Sequence, residues 1–171
     1  KRNLRKKYIM ILSLYGQPGS GKTTLATMMR ERIQHDPFWR WEPILLDGDR
    51  IRQLFKNYKY GKAGRYQNIR NINAIATHHD NFSENDVIIS AVNPYGQPRH
   101  ELKENNNVIE VLLFSDRDLK KEYHVKEFEN GEPDHIINTD CTVDESIKHL
   151  EEICAEFLEV TILKDIKPYT N

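Results

Sequence analysis

The sequence predicts an α/β domain in which a five-stranded, mostly parallel sheet is flanked by helices on both faces. Two patterns carry this reading. Short continuous apolar runs of strand length alternate with segments of helical apolar periodicity. The first of these runs also passes through a glycine-rich turn straight into a helix. At 171 residues the chain has the length of one domain, residues 1–171. It shows no linker, internal repeat or low-complexity tract.

Tyr8 to Tyr15 (YIMILSLY) is apolar and β-prone, as expected of a strand buried on both faces, and it ends at Gly16. From Lys22 to Gln34, Leu25, Met28, Met29 and Ile33 recur at helical spacing and stop near Asp36-Pro37. Pro43 to Leu46 reads as a second strand running into Asp47-Gly48-Asp49, which places acidic groups at a strand's carboxyl end. Arg65 to Phe82 carries Ile69, Ile72, Ile75, Ala76 and His79 on one helical stripe. Val87 to Ala91 and Val108 to Phe114 are the third and fourth strands, and His135 to Asn138 the short fifth. Charged residues from Asp118 to Phe128 suggest a mobile helix or lid within a 116–134 lid region. Thr142 opens the last helix with Glu145 three residues on, a capping box. Val143, Ile147, Leu150, Cys154, Phe157 and Leu158 supply its apolar face.

Composition narrows the function classes. With 38% hydrophobic and 30% charged residues, and no apolar run long enough to span a bilayer, no membrane role is expected. A net charge of −1 gives no global field for nucleic acid, although Lys1, Arg2, Arg5, Lys6 and Lys7 make residues 1–7 a basic segment. This segment reads as a solvated tail. Cys141 and Cys154 lack metal-ligand spacing, and no signal-peptide stretch precedes the domain, so a reduced, cytoplasmic setting is expected. His78 and His79 are adjacent on a helix and point in different directions, without the frame that zinc requires.

The chemistry is concentrated in GQPGSGKT. Gly16, Gly19, Gly21, Lys22 and Thr23 satisfy the pattern of Gly, four residues, then Gly-Lys-Ser/Thr, with a strand before it and a helix after it. The glycines let the backbone turn its N–H groups inward around phosphates, the helix adds its positive end, and Lys22 reaches the β and γ phosphates. Thr23 offers a hydroxyl to Mg²⁺. A glycine-rich turn without a ligand has no need of such a lysine. The domain is therefore expected to have a P-loop NTPase fold and to bind a nucleoside triphosphate with Mg²⁺, read as ATP although the loop by itself does not choose adenine over guanine, with Gly16, Gln17, Pro18, Gly19, Ser20, Gly21, Lys22, Thr23 and Thr24 around the phosphates.

The reaction is read from what surrounds the loop. An ATPase or GTPase commonly ends a second apolar strand in an Asp that serves the metal, but VIIS ends at Ser90. An Asn-Lys-x-Asp guanine-reading run is also missing. A kinase needs a carboxylate beside the acceptor hydroxyl. Asp49 suits that role, so Lys22 and Asp49 are the candidate catalytic residues. Arg52, Arg65, Asn68 and Arg70 make a basic and amide cluster fitted to an anionic acceptor. Arg65 and Asn68 share one helical face.

These residues resemble the adenylylsulfate kinase family, which phosphorylates the ribose 3′-hydroxyl of adenosine 5′-phosphosulfate. The resemblance rests on GQPGSGKTT, LDGDRIR (46–52), GRYQNIRNI (64–72), VIISAVNPYGQPR (87–99) and HIINTD (135–140). It implies that Asp49 lies near the acceptor hydroxyl and metal and that Arg52, Arg65 and Asn68 hold the acceptor. Tyr60 stands where the family has a phenylalanine that stacks on adenine. Three departures accompany it. SDRDLKKEYHVKEFENGEP (115–133) compresses the family's long lid and lacks its Lys-Gly-Leu-Tyr run, leaving Arg117 and Lys120 to stand in for its cations, with Arg117 on the nucleotide. Asn71 replaces an arginine, and Asn93 replaces a serine.

The reading is a kinase for a small-molecule, nucleotide-like anionic acceptor, adenylylsulfate leading. A P-loop kinase for a sugar, an unusual nucleotide or a modified base or end of nucleic acid is the alternative, nucleic acid not being favoured. The third reading is a nucleotide-dependent binding module. A homodimer is compatible with each.

Overall fold

The computed structural model describes residues 10–35, 43–83, 85–117 and 120–165, the stretch 157–165 as helical backbone alone. Residues 1–7, Tyr8, the Asp36-Pro37 stop, Asp118 and the side chains of Phe157 and Leu158 lie outside this description.

Five strands, β1 (Ile11–Tyr15), β2 (Ile44–Asp47), β3 (Val87–Ser90), β4 (Val108–Phe114) and β5 (His135–Asn138), form one sheet in the order β2-β3-β1-β4-β5. All four neighbouring pairs are parallel, so the sheet is wholly rather than mostly parallel among the described residues. Every strand thus ends on the same edge. The connections from β1 and β4 leave in opposite directions, and the crevice so formed lies beyond the end of β1.

The sheet is covered on both faces, and alternation along each strand divides its side chains between two cores. Leu12, Leu14, Ile88, Ile109, Val111 and Leu113 pack under α1 (Lys22–His35) and α5 (Val143–Asp165). Ile11, Val87 and Ile89 point the other way, under α2 (Gly48–Leu54), α3 (Lys62–Phe82) and α4 (Gly96–Asn105). The expected stripes are the buried ones: Leu25, Met29 and Ile33 in α1, Ile69, Ile72 and Ala76 in α3, and Ile147, Leu150 and Cys154 in α5. Val143 is instead exposed, and Ile153 joins the core. The capping box is formed, Glu145 accepting from the Thr142 amide at 2.9 Å while the Glu145 amide donates back to Thr142 Oγ1 at 3.2 Å.

Three features differ from the sequence-based expectation. α3 begins at Lys62, three residues before the expected start at Arg65. α2 and α4 were not anticipated, because α2 spans only seven residues and α4 carries Gly96 and Pro98 in its first turn. The region 118–128 holds no α-helix among its described residues, only a 3₁₀ turn, Lys121–Tyr123. It lacks an apolar stripe to bury, and Lys120 enters the turn in the left-handed region, φ 54°. Side chains of other elements hold it in place instead.

Candidate active site

Gly16, Gly19 and Gly21 all have positive φ, at 152°, 89° and 84°. At Gly16 a Cβ would also stand 2.1 Å from the Leu113 carbonyl oxygen, so close approach as well as conformation excludes other residues. The loop is stitched to β5 by Thr139 Oγ1, which donates to the Ser20 carbonyl at 3.2 Å. Lys22, 8% exposed, turns its ammonium into the loop, donating to the Gln17 carbonyl at 2.7 Å and to Ser20 Oγ at 3.2 Å. Burial pushes its pKa down to about 8, with the positive charge of Lys120 acting in the same direction and Asp49 and Asp47 opposing it. A lysine so depleted of counter-charge is poised to receive an anion.

Thr23 begins the next layer. Its hydroxyl lies 3.2 Å from Asp47 Oδ2 and 3.2 Å from Ser90 Oγ, uniting α1 with the ends of β2 and β3. Asp47 is also the N-cap of α2, its Oδ1 accepting from the amides of Asp49 and Arg50. Sequence reasoning passed over both Asp47 and Ser90. Asp47 was visible in the Asp-Gly-Asp triplet, but only the cap, which needs α2, separates its role from that of Asp49. Carboxylates and hydroxyls are hard oxygen donors, the class that Mg²⁺ selects.

A cavity of about 960 Å³ runs from the loop past Asp49 to Arg52, Tyr60 and Arg65. Arg52 is buried, and its Nη1 donates to the carbonyls of Asn57 (3.3 Å) and Lys59 (3.0 Å). Its guanidinium lies 4.6 Å from the centre of the Tyr60 ring. Arg65 Nε donates to the Tyr60 carbonyl at 2.8 Å. These three form a cationic and aromatic wall. Asn68 is not part of that wall. It is buried, outside the cavity lining, and its amide donates to the Gly48 carbonyl at 3.0 Å, tying α3 to the start of α2. Arg70 is exposed and also outside the lining.

The region expected to form a lid contributes further lining. Lys120, Glu122, Tyr123 and His124 line the cavity. Gln17 clasps the Val125 backbone twice, its amide nitrogen donating to the carbonyl at 2.9 Å and its oxygen accepting from the N–H at 2.8 Å. The His124 ring lies 3.1 Å from the Pro18 carbonyl. Arg117 faces away from this cavity, bound to the Thr139 carbonyl (2.6 Å) and Asp140 Oδ1 (3.2 Å), beside a small pocket of about 80 Å³ behind the loop. Thr24 lines the main cavity.

The site thus holds a glycine-rich loop, a buried lysine, the Asp47 carboxylate bonded to a threonine hydroxyl with Asp49 on the same cavity lining, and a wall of two arginines and a tyrosine. A family model described as adenylylsulphate kinase matches residues 8–129. No curated protein matches the sequence. Among solved structures, an APS kinase from Mycobacterium tuberculosis in complex with AMPPNP and APS is similar, with a TM-score of 0.74 and 19% identity over 87% of this chain and 98% of that one. A gluconokinase from Sinorhizobium meliloti 1021 has a TM-score of 0.64 and 13% identity over 92% and 98% of the two chains. A hexameric APS kinase from Thiobacillus denitrificans has a TM-score of 0.64 and 19% identity, covering 89% of this chain and 30% of that one.

Proposed function

Because the chain belongs to the adenylylsulphate kinase family and is a P-loop phosphotransferase, we propose that it moves the γ-phosphoryl group of MgATP to a hydroxyl of a small anionic, nucleotide-like acceptor. Adenosine 5′-phosphosulfate is the first candidate. The observation that supports this reading is the continuous cavity joining Lys22 to the Arg52–Tyr60–Arg65 wall, long enough to take a donor and an acceptor end to end.

Each side chain has a part. The loop amides and Lys22 hold the β and γ phosphates, and the ammonium that now leans on Gln17 turns to the incoming anion. Thr23 and Asp47, with Asp49 at the acceptor side, are the residues that would hold Mg²⁺, which neutralises charge on the phosphates when bound. Asp49 orients the acceptor hydroxyl and takes its proton as the new P–O bond forms and the bond from the γ-phosphorus to the departing ADP oxygen breaks. Arg52 and Arg65 neutralise the acceptor's anionic group, and the Tyr60 ring stacks on its base. Lys120 brings a further cation over the transferred group. Catalysis is positioning and charge neutralisation.

ADP release measured across a panel of acceptors, adenosine phosphosulfate included, tests the assignment. The expected result is acceptor-stimulated release that Lys22→Ala abolishes, and a folded, fully active Lys22→Ala protein overturns it. A second reading draws on the exposure of Tyr60 (59%) and Tyr123 (64%) at the cavity mouth, which leaves room for a larger acceptor such as a nucleic-acid end. Transfer onto an oligonucleotide that falls steeply with salt favours that reading, because phosphate contacts release counterions.

A further inference from the structure

We propose that Arg99, remote from the phosphate loop, is a positioning residue. From the core it fastens the stem of the lid, residues 128–131, to the loop 93–95, whose Asn93 and Pro94 line the cavity. It thereby sets where His124 and the segment 125–127 stand.

Arg99 lies in α4 and is 4% exposed. Its three guanidinium nitrogens reach three segments. Nε lies 3.0 Å from Glu110 Oε1 in β4, Nη1 donates to the Asn93 carbonyl at 2.7 Å, and Nη2 donates to the Glu129 carbonyl at 2.7 Å. The guanidinium also covers the Tyr15 ring, 4.3 Å from its centre. Tyr15 repeats the pattern from β1, its hydroxyl donating to the Asn130 carbonyl and its ring stacking on Phe128 at 6.2 Å. The joint is closed by the Glu129 amide, which donates to the Pro94 carbonyl at 2.8 Å, and by Glu129 Oε2, which accepts from the Gly96 amide at 2.6 Å. Gly131, at φ +66°, passes so near that a Cβ there would stand 2.6 Å from Arg99 Nη2.

Neutralising Glu110 would take a single cation, and a lysine would supply it. A planar fork that also bonds carbonyls from two separate loops does more than compensate a buried charge. Upstream of the stem, His124 and Val125 are held by Pro18 and Gln17, part of the very loop that must receive phosphates. The lid's first residues leave β4 and are held at Asp116 and Arg117 by Asp140. Arg99, paired with Glu110 in β4, and Tyr15 in β1 tie the stem 128–131 to the sheet. Cavity-facing His124 stands at the first of the two downstream attachments and residues 125–128 span to the second, while Lys120, Glu122 and Tyr123 lead into them.

Limited trypsin digestion of the whole protein without nucleotide, read by mass spectrometry beside a thermal melt, tests this. With local opening controlling access, Arg99→Lys is expected to speed cleavage after Lys126, which lies between the two attachments, about tenfold while cleavage after Arg32 in α1 keeps its rate. Tyr15→Phe, which only removes a hydroxyl, is expected to act in the same direction by about threefold. Glu110→Gln is expected to lower the melting midpoint and leave the lid site as it is. Unchanged lid cleavage in Tyr15→Phe, or lid opening in Glu110→Gln equal to that of Arg99→Lys, overturns the proposal, and Tyr15→Phe decides where Arg99→Lys does not fold. The kinetic consequence rests on the kinase reading: KM for ATP rises about tenfold with kcat within about threefold, as expected when ground-state contacts from the lid are lost. A wild-type protein that transfers no phosphate sinks that reading and leaves the digestion result standing.

Discussion

The hydroxyl of Thr23 donates to Asp47 Oδ2 across 3.2 Å, while the other oxygen of that carboxylate caps α2. One aspartate therefore serves the first turn of α1 and the first turn of α2 together. Asp47→Asn separates the two duties, since asparagine caps a helix as well as aspartate but brings no charge to a cation. Phosphoryl transfer is expected to fall about 100-fold, with thermal stability changed by less than about 1 kcal/mol. ADP release across a Mg²⁺ titration, with a parallel melt, checks it. Full turnover in the variant would leave the metal to Asp49 alone.

Nucleotide affinity should weaken in alkaline solution. Lys22 loses its proton near pH 8 in the free protein rather than near 10.5, because burial disfavours the charged form. A bound triphosphate restores that charge, so binding takes up a proton once pH exceeds about 8, and affinity declines toward tenfold per further pH unit. The same shift means the folded protein binds fewer protons than the unfolded chain between about pH 8 and 10.5. This group's contribution to the stability of the free protein therefore rises with pH across that window. Calorimetric titration with ATP in buffers of different ionisation heat reads the proton directly, and pH-independent binding up to pH 9.5 would contradict the assignment.

Gly64 provides an acceptor-specific test. A Cβ there would lie 2.0 Å from the Lys59 carbonyl oxygen, the same group that receives Arg52 Nη1. Gly64→Ala must push the 57–60 segment away and with it the Arg52–Tyr60 contact. KM for the acceptor is expected to rise about tenfold, matching an overpacking cost on the order of 1–3 kcal/mol. The dissociation constant for ATP should stay within about twofold, because the loop is untouched. Equal losses for both substrates would argue against two separable halves of the cavity.

Asp86 lies away from the site and bears on stability. It precedes β3, accepts from the Met10 amide at 2.8 Å, and has its carboxyl pushed up to about 6 from 3.8 by burial. The folded state holds this proton more tightly than the unfolded chain, so the group's contribution falls as pH rises from about 4 to 6. Asp86→Asn keeps the acceptor for Met10 and removes the charge. It is expected to stabilise the protein at neutral pH by on the order of 2 kcal/mol, with the gain vanishing below about pH 4. Urea unfolding at the two pH values measures both halves of the statement.

Much of the fold was legible before any coordinates. Strands such as Val87–Ser90 and Val108–Phe114 are continuous apolar runs because both faces of the sheet are covered, and helices such as α3 carry stripes because only one side meets the sheet. The elements that escaped are those whose stability is not local. α2 rests on the Asp47 cap and a buried Ile51, and the chain after the 3₁₀ turn is held at Val125 by Gln17 and at Glu129 by Arg99, both distant in sequence.

The sequence by itself determined the phosphate loop, since the spacing of Gly16, Gly19, Gly21, Lys22 and Thr23 specifies the backbone nest and its cation within eight residues. It also determined the family and the parallel sheet that delivers the loop to a crevice. Tertiary structure alone decided which aspartate touches Thr23, that Asn68 supports α2 rather than lining the cavity, and that Arg117 turns away from the cavity toward Asp140. It likewise decided that a lid without the family's Lys-Gly-Leu-Tyr run is held by Arg99 and Tyr15. The physical reason is the same in each case. A loop built from consecutive backbone groups is a local property, whereas the partner of a side chain depends on which segments the sheet order brings together.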